Sequence, residues 1–502
     1  MSRREAYVGI DIGTSSVKAG LFAGDSYYVA VRPSGLATSA AGAAEQDARR
    51  LWAAVADAVR ELVREEGDIC VRAVGLSGHS PSLVAVTSCE PVTPVITWMD
   101  ARPLLEGREG MESAERCAGS GAGGPSFEAT ARWIARRLVP SARGACILLQ
   151  PKDFVVLRLT GRACTDSSSA SCLQWYNGRR GWDARGDCHI ASLLPPIVHP
   201  WESCGTVTPE AASETGLPAG IPVTPGGIDA FMEALGAGIL EPGIACDATG
   251  TSTCLSLVQP TEGDGGSVRH VAPGRRLTVA PVSYSGGSLK WALSVLFPGE
   301  VGALCDWRDL VGQVVAASPP GASGLLFIPH MVGQRSPRVN PQARGAFVGL
   351  GPGHTRADML RAVLEGCSYA VRESLEALCP GLAVGEVRAV GSGTKHDPWL
   401  QIKADVLGVP YARMAVAEGA VLGAAILAGC CCGDFASVEE AAGRFVRRGR
   451  VFNSDDGARR VYEAMYKAYR EASLGLQRAD EVLAGLRRDG ASKRGPQVQA
   501  WT

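Results

Sequence analysis

The chain has 502 residues, 46% of them hydrophobic, and its 50 Lys and Arg residues balance 51 Asp and Glu residues. A chain of this length is too long for one hydrophobic core and predicts two domains of roughly 200–250 residues each. The balanced charge excludes the strongly basic surface typical of proteins that bind nucleic acid or acidic membranes, so we expect a small-molecule partner.

The sequence predicts a cytoplasmic protein without a membrane contact. The apolar run at 7–10 is too short for the hydrophobic part of a signal peptide. The uncharged apolar run at 419–433 is shorter than the roughly 20 residues that span a bilayer, so we expect a buried helix there. The 16 cysteines include no CxxC pair, which favours reduced thiols; a metal site at 430–432 is the less favoured alternative.

A hairpin is predicted at 7–29, where two β-rich runs flank a Gly-Thr-Ser turn and an aspartate precedes the turn. Such a turn offers backbone N–H groups and hydroxyls to an anion, and the nearby carboxylate can face a hydrated Mg²⁺. We therefore expect Asp11 to bind the metal. The expected phosphate ligands are Gly13, Thr14 and Ser15. Lys18 either reaches a phosphate or is a solvated surface lysine.

Two predicted strands, 71–76 and 92–98, end in polar residues. Strand ends that break into polar residues are where α/β folds place their ligands. The candidates for substrate contact at these two ends are His79, Ser80, Pro81 and Asp100. For His79 a satisfied loop histidine is the alternative, and for Asp100 a buried ion pair with Arg102 that shapes the pocket.

Two nucleotide-binding patterns are excluded. A GxGxxG stretch at 119–124 follows a polar segment rather than a strand, so it does not predict a dinucleotide site. No GxxxxGK[ST] pattern occurs, which excludes a P-loop enzyme by sequence.

The segment 221–228 delivers Asp229 at a loop tip, just before a run with helical character at 230–238. Glu241, Pro242 and Gly243 then break the helix, and we place the domain boundary there. The prediction is an N-terminal domain at 1–240, a C-terminal domain at 241–487 and a disordered polar tail at 488–502.

The second domain begins with a repeat of the first motif. Asp247 precedes a second Gly-Thr-Ser turn, and a strand-like run follows. Two such loops facing each other would clamp a nucleotide triphosphate, whereas the alternative is two ordinary hairpin turns. The second set of expected phosphate ligands is Gly250, Thr251 and Ser252. A helix is predicted at 357–378, and a strand at 387–390 leads into a glycine-containing loop.

These motifs, with several others, resemble those of the FGGY carbohydrate kinases, a family that includes xylulokinase and glycerol kinase. The resemblance covers nearly the whole chain from residue 7 to about 474. The matching segments are GAFVGL at 345–350 with DMLRAVLE at 358–365, WMDAR at 98–102, PKDF at 151–154, LTG at 159–161, GQRSP at 333–337 and GAA at 423–425.

The resemblance implies an α/β fold of two duplicated RNase H-like, actin-like ATPase domains with an interdomain cleft. It implies ATP and Mg²⁺ as cofactors, with ATP mostly on the C-terminal domain and the sugar or polyol mostly on the N-terminal domain. Asp229 would be the catalytic base and a substrate contact; an N-cap of the following helix is the alternative. The adenosine-side loop would contribute Gly391, Gly393 and Thr394.

Two departures from the family pattern concern the sugar. The xylulokinases carry Gln-Met-His-Gly where this chain has residues 79–82, and Asn where it has Ala230. The Arg-Glu pair of the glycerol kinases is absent at Ser80 and Pro81. We expect an ATP-dependent kinase with an altered sugar pocket, with a homodimer left open. The competing hypothesis is an ATP-switched binding protein or an inactive sugar sensor on the same fold.

Overall fold

The chain forms two compact units in the computed structural model, which describes residues 4–39, 42–65, 69–105, 126–140, 146–173, 175–178, 181–183, 188–259, 268–300, 307–378, 380–381 and 383–491. The first unit comprises Met1–Leu240, Gln259–Leu277 and Glu418–Val446. The second comprises Glu241–Val258, Thr278–Ala417 and Arg447–Thr502. The chain therefore leaves the first unit and returns to it twice.

The first unit is built on a six-stranded sheet. In spatial order its strands are Gly205–Thr206, Pro222–Ile228, Ile69–Gly78, Arg4–Ile12, Ser16–Ala23 and Ser26–Pro33. The three strands nearest the N-terminus form an antiparallel meander. Ile69–Gly78 adds in parallel to the first of them, and Pro222–Ile228 adds in parallel to Ile69–Gly78. Because parallel neighbours require a crossover, the helix Ala48–Glu65 lies between Arg4–Ile12 and Ile69–Gly78 in the chain.

The sheet of the second unit has its own set of strands. After the short edge strand Val268–Arg269, which pairs with Arg276–Val282, the strands in spatial order are Arg276–Val282, Thr253–Val258, Ile244–Thr249, Glu386–Val390, Tyr411–Met414 and Arg448–Phe452. The pairs Ile244–Thr249 with Glu386–Val390 and Glu386–Val390 with Tyr411–Met414 are parallel, and Arg448–Phe452 closes the edge in antiparallel.

The two sheets share one strand order. Numbered along the chain within each unit, both run 3-2-1-4-5, with an added antiparallel strand beside strand 5. In each unit strands 1 and 2 form a hairpin, and strands 1, 4 and 5 are parallel. The duplicated fold is therefore visible in topology as well as in the repeated Gly-Thr-Ser turn.

The remaining elements connect and cover the sheets. The other helices are Arg102–Leu105, Phe127–Trp133 continuing as Ile134–Leu138, Pro151–Thr160, Ser167–Ser171, Cys188–Ala191, Pro209–Thr215, Asp229–Gly236, Ser285–Leu296, Trp307–Ala316, Ala322–Gly324, Arg356–Leu378, Ser392–Lys395, Asp397–Leu407, Gly419–Cys431, Val438–Phe445, Asp456–Gly475 and Gln477–Ala491. Short strands occur at Leu36–Thr38, Ala44–Gln46, Val84–Thr87, Glu90–Pro91, Val95–Ile96, Ile147–Leu149, Thr165–Asp166, Tyr176–Asn177, Gly181–Trp182, Ile197–Val198, Val268–Arg269, Leu326–Ile328 and Ala346–Val348.

Several predicted elements are confirmed, and two boundaries are wrong. The helix expected at 357–378 spans Arg356–Leu378. The strand expected at 92–98 is limited to Val95–Ile96, because Pro94 lacks the N–H that a ladder needs. The helix Gln477–Ala491 takes in the first four residues of the predicted disordered tail. Residues 492–502 and the GxGxxG stretch at 119–124 lie outside the described residues.

The uncharged run near residue 420 forms the helix Gly419–Cys431, whose first eleven residues are buried in the first unit. This helix packs directly on the central strands of that unit's sheet. The contact requires glycine on the strands, since a Cβ added at Gly9 would lie 1.9 Å from the carbonyl oxygen of Val421, and one at Gly75 would lie 2.0 Å from that of Ala424. No helix within the described ranges is both long and apolar enough to cross a membrane.

We expect Gly75→Ala to destabilise the protein by about 3 kcal/mol, near the upper end for overpacking, because the new methyl group meets backbone that cannot rotate away. The free energy of unfolding from a urea titration measures the effect. Gly312→Ala is the control: it lies in the helix Trp307–Ala316 with no atom within 4 Å of the added Cβ, and should stabilise by about 0.5–1 kcal/mol. A loss below about 1 kcal/mol for Gly75→Ala would show that the helix can shift away.

Candidate functional site

Asp11 lies near the end of the first strand, where two neighbouring strands bring polar side chains beside it. In the ladder it is opposite Lys18 on one side and Ser77 on the other. The Ser77 hydroxyl donates to Asp11 Oδ1 over 2.8 Å. Asp11 is buried, and burial raises the pKa of its carboxyl above the usual range although Lys18 and Ser77 oppose the rise.

The turn after Asp11 is stabilised by an internal hydrogen bond from its first backbone N–H group. The N–H of Gly13 donates to the carbonyl of Ser16 over 3.0 Å, and in the second unit the N–H of Gly250 donates to Ser252 over 2.8 Å. Each of these two glycine N–H groups therefore has a backbone acceptor within its turn, and the phosphate contact of Gly13 and Gly250 stays a prediction. The neighbouring residues Thr14, Ser15, Thr251 and Ser252 lie outside the strand ladders, and Ser15 and Thr251 are exposed.

Asp229 is the first residue of the helix Asp229–Gly236, directly after the strand Pro222–Ile228. The N-cap of this helix is Ile228, so the alternative that Asp229 serves as the N-cap is wrong. Asp229 Oδ1 accepts the N–H of Ala230 over 2.8 Å. Burial, together with the negative charge of Asp11, raises the pKa of the Asp229 carboxyl to about 7.

Glu233 lies one helical turn after Asp229 on the same helix. Burial and the charges of Asp229 and Asp11 raise the pKa of its carboxyl well above the usual range. Glu418, the residue before the helix Gly419–Cys431, also acts on it. The four carboxylates Asp11, Asp229, Glu233 and Glu418, with the ammonium group of Lys18, are called the acidic cluster below.

Lys18 is an internal cation of the acidic cluster. Its Nζ lies 2.6 Å from Glu418 Oε2, and both side chains are partly buried. Burial by itself would lower the pKa of Lys18, but Glu418 and Asp11 outweigh it and raise that pKa. This ion pair replaces the alternative of a solvated surface lysine, and the contact of Lys18 with a phosphate stays a prediction.

The acidic cluster fits a bound divalent cation. One ammonium group faces four carboxylates, so the cluster gains from further positive charge. No three His, Cys, Asp or Glu side chains in the described part of the chain converge closely enough to hold a metal directly. Mg²⁺ keeps several of its waters in proteins, so a single carboxylate such as that of Asp11 can hold it through water.

The loop after the strand Ile69–Gly78 separates the substrate candidates into two groups. Ser80 and Pro81 are partly exposed and remain predicted substrate contacts. His79 is buried, with Nδ1 2.8 Å from the Ser82 hydroxyl and Nε2 3.2 Å from Gln46 Oε1. Since both ring nitrogens have protein partners, the expectation that His79 contacts the sugar is wrong, and the alternative of a satisfied loop histidine holds.

Asp100 is fully buried in an ion pair. Its Oδ2 lies 2.7 Å from the guanidinium of Arg102 and accepts the N–H of Ala44 over 3.0 Å. Arg102 also pairs with Glu45 and lies 4.8 Å above the Trp133 ring. The expectation that Asp100 contacts the substrate is therefore wrong, and the alternative of an ion pair that shapes its surroundings holds.

The acid of the second repeat does not match that of the first. Asp11 is two residues before Gly13, whereas Asp247 is three residues before Gly250, and neighbouring strand residues point to opposite faces. Asp247 is fully buried, 2.6 Å from the ammonium group of Lys403. It also accepts from the hydroxyls of Tyr411 and Thr249. Asp247 is therefore structural.

The loop after the strand Glu386–Val390 packs on the end of a neighbouring strand. A Cβ at Gly391 would lie 2.6 Å from the carbonyl oxygen of Thr249, and one at Gly393 would lie 2.6 Å from its Cγ2. The buried hydroxyl of Thr394 donates to the carbonyl of Gly391 over 2.7 Å. Packing against Thr249 thus accounts for both glycines, and the nucleotide contact of this loop remains a prediction.

Sequence reasoning did not select four residues of this region: Gln46, Ser77, Glu233 and Glu418. Glu233 carried a readable signal, because it is an acid four residues after Asp229 on an otherwise apolar helix. Glu418 carried none, since its partner Lys18 is 400 residues away in the chain.

Two units with the same strand order, each opening on a hairpin around a Gly-Thr-Ser turn, define a duplicated actin-like ATPase fold of RNase H-like domains. The N-terminal domain model of the FGGY family of carbohydrate kinases matches residues 6–236, and the C-terminal domain model matches residues 248–432. The chain belongs to this family and is a sugar kinase.

Named relatives agree with this assignment. A xylulose kinase of Bacillus subtilis is 31% identical over 367 residues, covering 71% of this chain and 72% of the relative. A xylulose kinase of Staphylococcus epidermidis is 28% identical over 487 residues, covering 93% and 96%. The crystal structure of xylulose kinase from Rhodospirillum rubrum has a TM-score of 0.81 at 28% identity and covers 95% of this chain and 100% of its own.

Proposed function

We propose that this sugar kinase transfers the γ-phosphoryl group of ATP to a hydroxyl of a small sugar, ketose or polyol, with Asp229 as the general base. The observation that carries the proposal is the position of Asp229. It begins a helix at a strand end within the first unit, and the charge of Asp11 acts on it inside the acidic cluster. The family membership supplies the reaction class.

The chemistry asked of Asp229 is one proton transfer. As the substrate oxygen forms its bond to the γ-phosphorus, the bond from phosphorus to the bridging oxygen of ADP breaks, and the hydroxyl proton moves to the carboxylate. A base with a pKa near the working pH has both a large ionised fraction and a useful affinity for the proton. The pKa of about 7 for Asp229 meets that requirement.

Mg-ATP is the proposed donor. Asp11 would hold the Mg²⁺ through water, and the metal supplies neutralisation of the phosphate oxygens. Thr14 and Ser15 of the first unit, with Thr251 and Ser252 of the second, are the proposed phosphate contacts through hydroxyl and N–H groups. Gly391, Gly393 and Thr394 are the proposed adenosine-side loop.

The proposed acceptor is a small neutral sugar, ketose or polyol. The relatives above are xylulose kinases, but residues 79–82 and Ala230 differ from the xylulokinase pattern. Ser80 and Pro81 are the loop residues that remain as proposed contacts, next to Asp229. Each hydrogen bond lost between a buried polar side chain and a substrate hydroxyl changes selectivity by roughly 1–3 kcal/mol. The differences at 79–82 and 230 are therefore large enough to favour a substrate other than xylulose.

A coupled assay of ADP release across a panel of ketoses, aldoses, polyols and sugar acids tests the proposal. We expect at least one neutral compound with several hydroxyls to raise ADP release far above the rate with water alone, because the bound hydroxyl replaces water as the acceptor. If no compound raises ADP release, the inactive sensor on the same fold becomes the better explanation.

A further inference from the structure

Five side chains of the first unit form a closed ring of hydrogen bonds beside the phosphate turn. Gln46 Nε2 donates to the carbonyl of Thr14 over 2.9 Å, and its Oε1 lies 3.2 Å from His79 Nε2. His79 Nδ1 lies 2.8 Å from the hydroxyl of Ser82, which accepts the backbone N–H of Trp98 over 3.0 Å. The indole N–H of Trp98 donates to the Thr14 hydroxyl over 3.0 Å and closes the ring.

The ring has one consistent assignment of protons. Gln46 Nε2 also reaches the carbonyl of Gly13 over 3.2 Å, and only the amide nitrogen can donate to two carbonyl oxygens. Gln46 Oε1 therefore accepts from His79 Nε2–H, which leaves His79 Nδ1 to accept from the Ser82 hydroxyl. The imidazole is thus neutral, and burial lowers the pKa of His79 to about 4, so it stays neutral at physiological pH.

The three side chains at the centre of the ring are shielded from water, whereas Thr14 and Trp98 are partly buried. Gln46 and Ser82 are fully buried, and His79 is 2% exposed. Hydrogen bonds in such surroundings are strong and directional, and a missing partner leaves a buried polar atom unsatisfied. Ser34 adds a second support to the turn, since its hydroxyl donates to the Thr14 carbonyl over 2.6 Å.

We propose that Gln46, His79 and Ser82 are positioning residues that fix the phosphate turn at Thr14 relative to the loop carrying Ser80 and Pro81. The proposal rests on the proposed function, in which the turn holds the phosphoryl donor and the loop contacts the acceptor. Phosphoryl transfer depends on the alignment of donor and acceptor, and a displacement of about 1 Å can cost roughly a hundredfold in rate. The ring adds a side-chain link between the two elements to the backbone link that the sheet provides, in which the N–H of His79 donates to the carbonyl of Ile12 over 3.0 Å.

Gln46→Glu is the main test variant, because it keeps the shape but removes both N–H donors that hold the turn. We expect kcat to fall by roughly 10- to 100-fold, with the KM for the sugar changed less than about threefold, since alignment and not sugar affinity is lost. Hydrogen exchange of the amides in the turn around Thr14, followed by mass spectrometry, should become about tenfold faster in the same variant.

Two histidine variants supply the rescue test. His79→Leu removes both polar atoms and should lower kcat as Gln46→Glu does. His79→Gln restores a donor and an acceptor and should recover most of that loss. The exposed His189 provides a matched control, and His189→Leu should leave kcat and the turn's hydrogen exchange unchanged.

The readouts separate this inference from the proposed function. If hydrogen exchange in Gln46→Glu were unchanged, the ring would not hold the turn, whether or not the wild type phosphorylates a sugar. If exchange in Gln46→Glu were faster but kcat were unchanged, the ring would hold the turn without positioning the reactants. A wild-type protein inactive on the whole panel would contradict the proposed function, while the exchange data would still decide whether the ring holds the turn.

Discussion

Asp229→Asn is expected to lower kcat by roughly 10²- to 10⁴-fold while leaving Mg-ATP affinity nearly unchanged. The amide keeps the size of the side chain and can still accept the N–H of Ala230 through its oxygen, so the start of the helix is preserved. It cannot take up the hydroxyl proton. Steady-state kinetics on the best acceptor of the panel, with nucleotide binding by calorimetry, measure the two effects.

The pH profile provides a second reading of the same residue. Because the base must be ionised and the pKa of Asp229 is about 7, kcat/KM should fall about tenfold per pH unit below 7 and level off above it. A cation bound in the acidic cluster favours the carboxylate, so the fall in kcat should occur at lower pH than the fall in kcat/KM. The residual rate of Asp229→Asn should lack this limb.

The exposed residue Glu210 gives the control for this prediction. Glu210→Gln removes an equal charge from the first turn of another helix of the first unit and should leave kcat within about twofold. If Asp229→Asn retained more than about a tenth of wild-type kcat, the base would be a different group, and Glu233 would be the next candidate to replace.

Lys403→Met is expected to destabilise the protein by about 3–5 kcal/mol. Lys403 and Asp247 form a 2.6 Å ion pair with both side chains almost fully buried. Removing the ammonium group leaves the Asp247 carboxylate with only the hydroxyls of Tyr411 and Thr249 and no opposite charge. The free energy of unfolding from urea titration measures the loss, and a large fall in Tm should accompany it.

A double variant distinguishes an uncompensated charge from lost packing. Asp247→Asn combined with Lys403→Met removes both charges, and about half or more of the lost stability should return. If the double variant were as unstable as the sum of the two single variants, the pair would contribute through shape alone. A loss below about 1 kcal/mol for Lys403→Met would mean that water reaches Asp247.

The fold was more predictable than the site, for physical reasons that particular residues show. Helical periodicity was sufficient to predict the helix Arg356–Leu378, and the uncharged run near residue 420 was sufficient to predict a buried helix there. The partner of Lys18 was not predictable, since Glu418 is 400 residues away in the chain and most of the second unit lies between them. Periodicity reports which face of an element is buried but not which distant side chain it meets.

Two residues show what could and what could not be predicted about the site. His79 is a polar residue after a strand, which is typical of a ligand contact, yet Gln46 and Ser82 use both of its ring nitrogens. Nothing in the sequence placed Gln46 there. The different position of Asp247, by contrast, is visible in the sequence, because its distance from the Gly-Thr-Ser turn differs by one residue from that of Asp11.

The helix Gly419–Cys431 prevents the protein from being divided into two independently folding fragments at the end of its N-terminal half. Its residues fill grooves over the glycine positions of strands encoded more than three hundred codons earlier. A fragment that ended at Leu240 would expose the strand surface that this helix covers, and the complementary fragment would contain an apolar helix without the sheet on which it packs. The first unit is therefore not self-sufficient without residues from far along the chain, and synthesis must pass Val446 before that unit can finish folding.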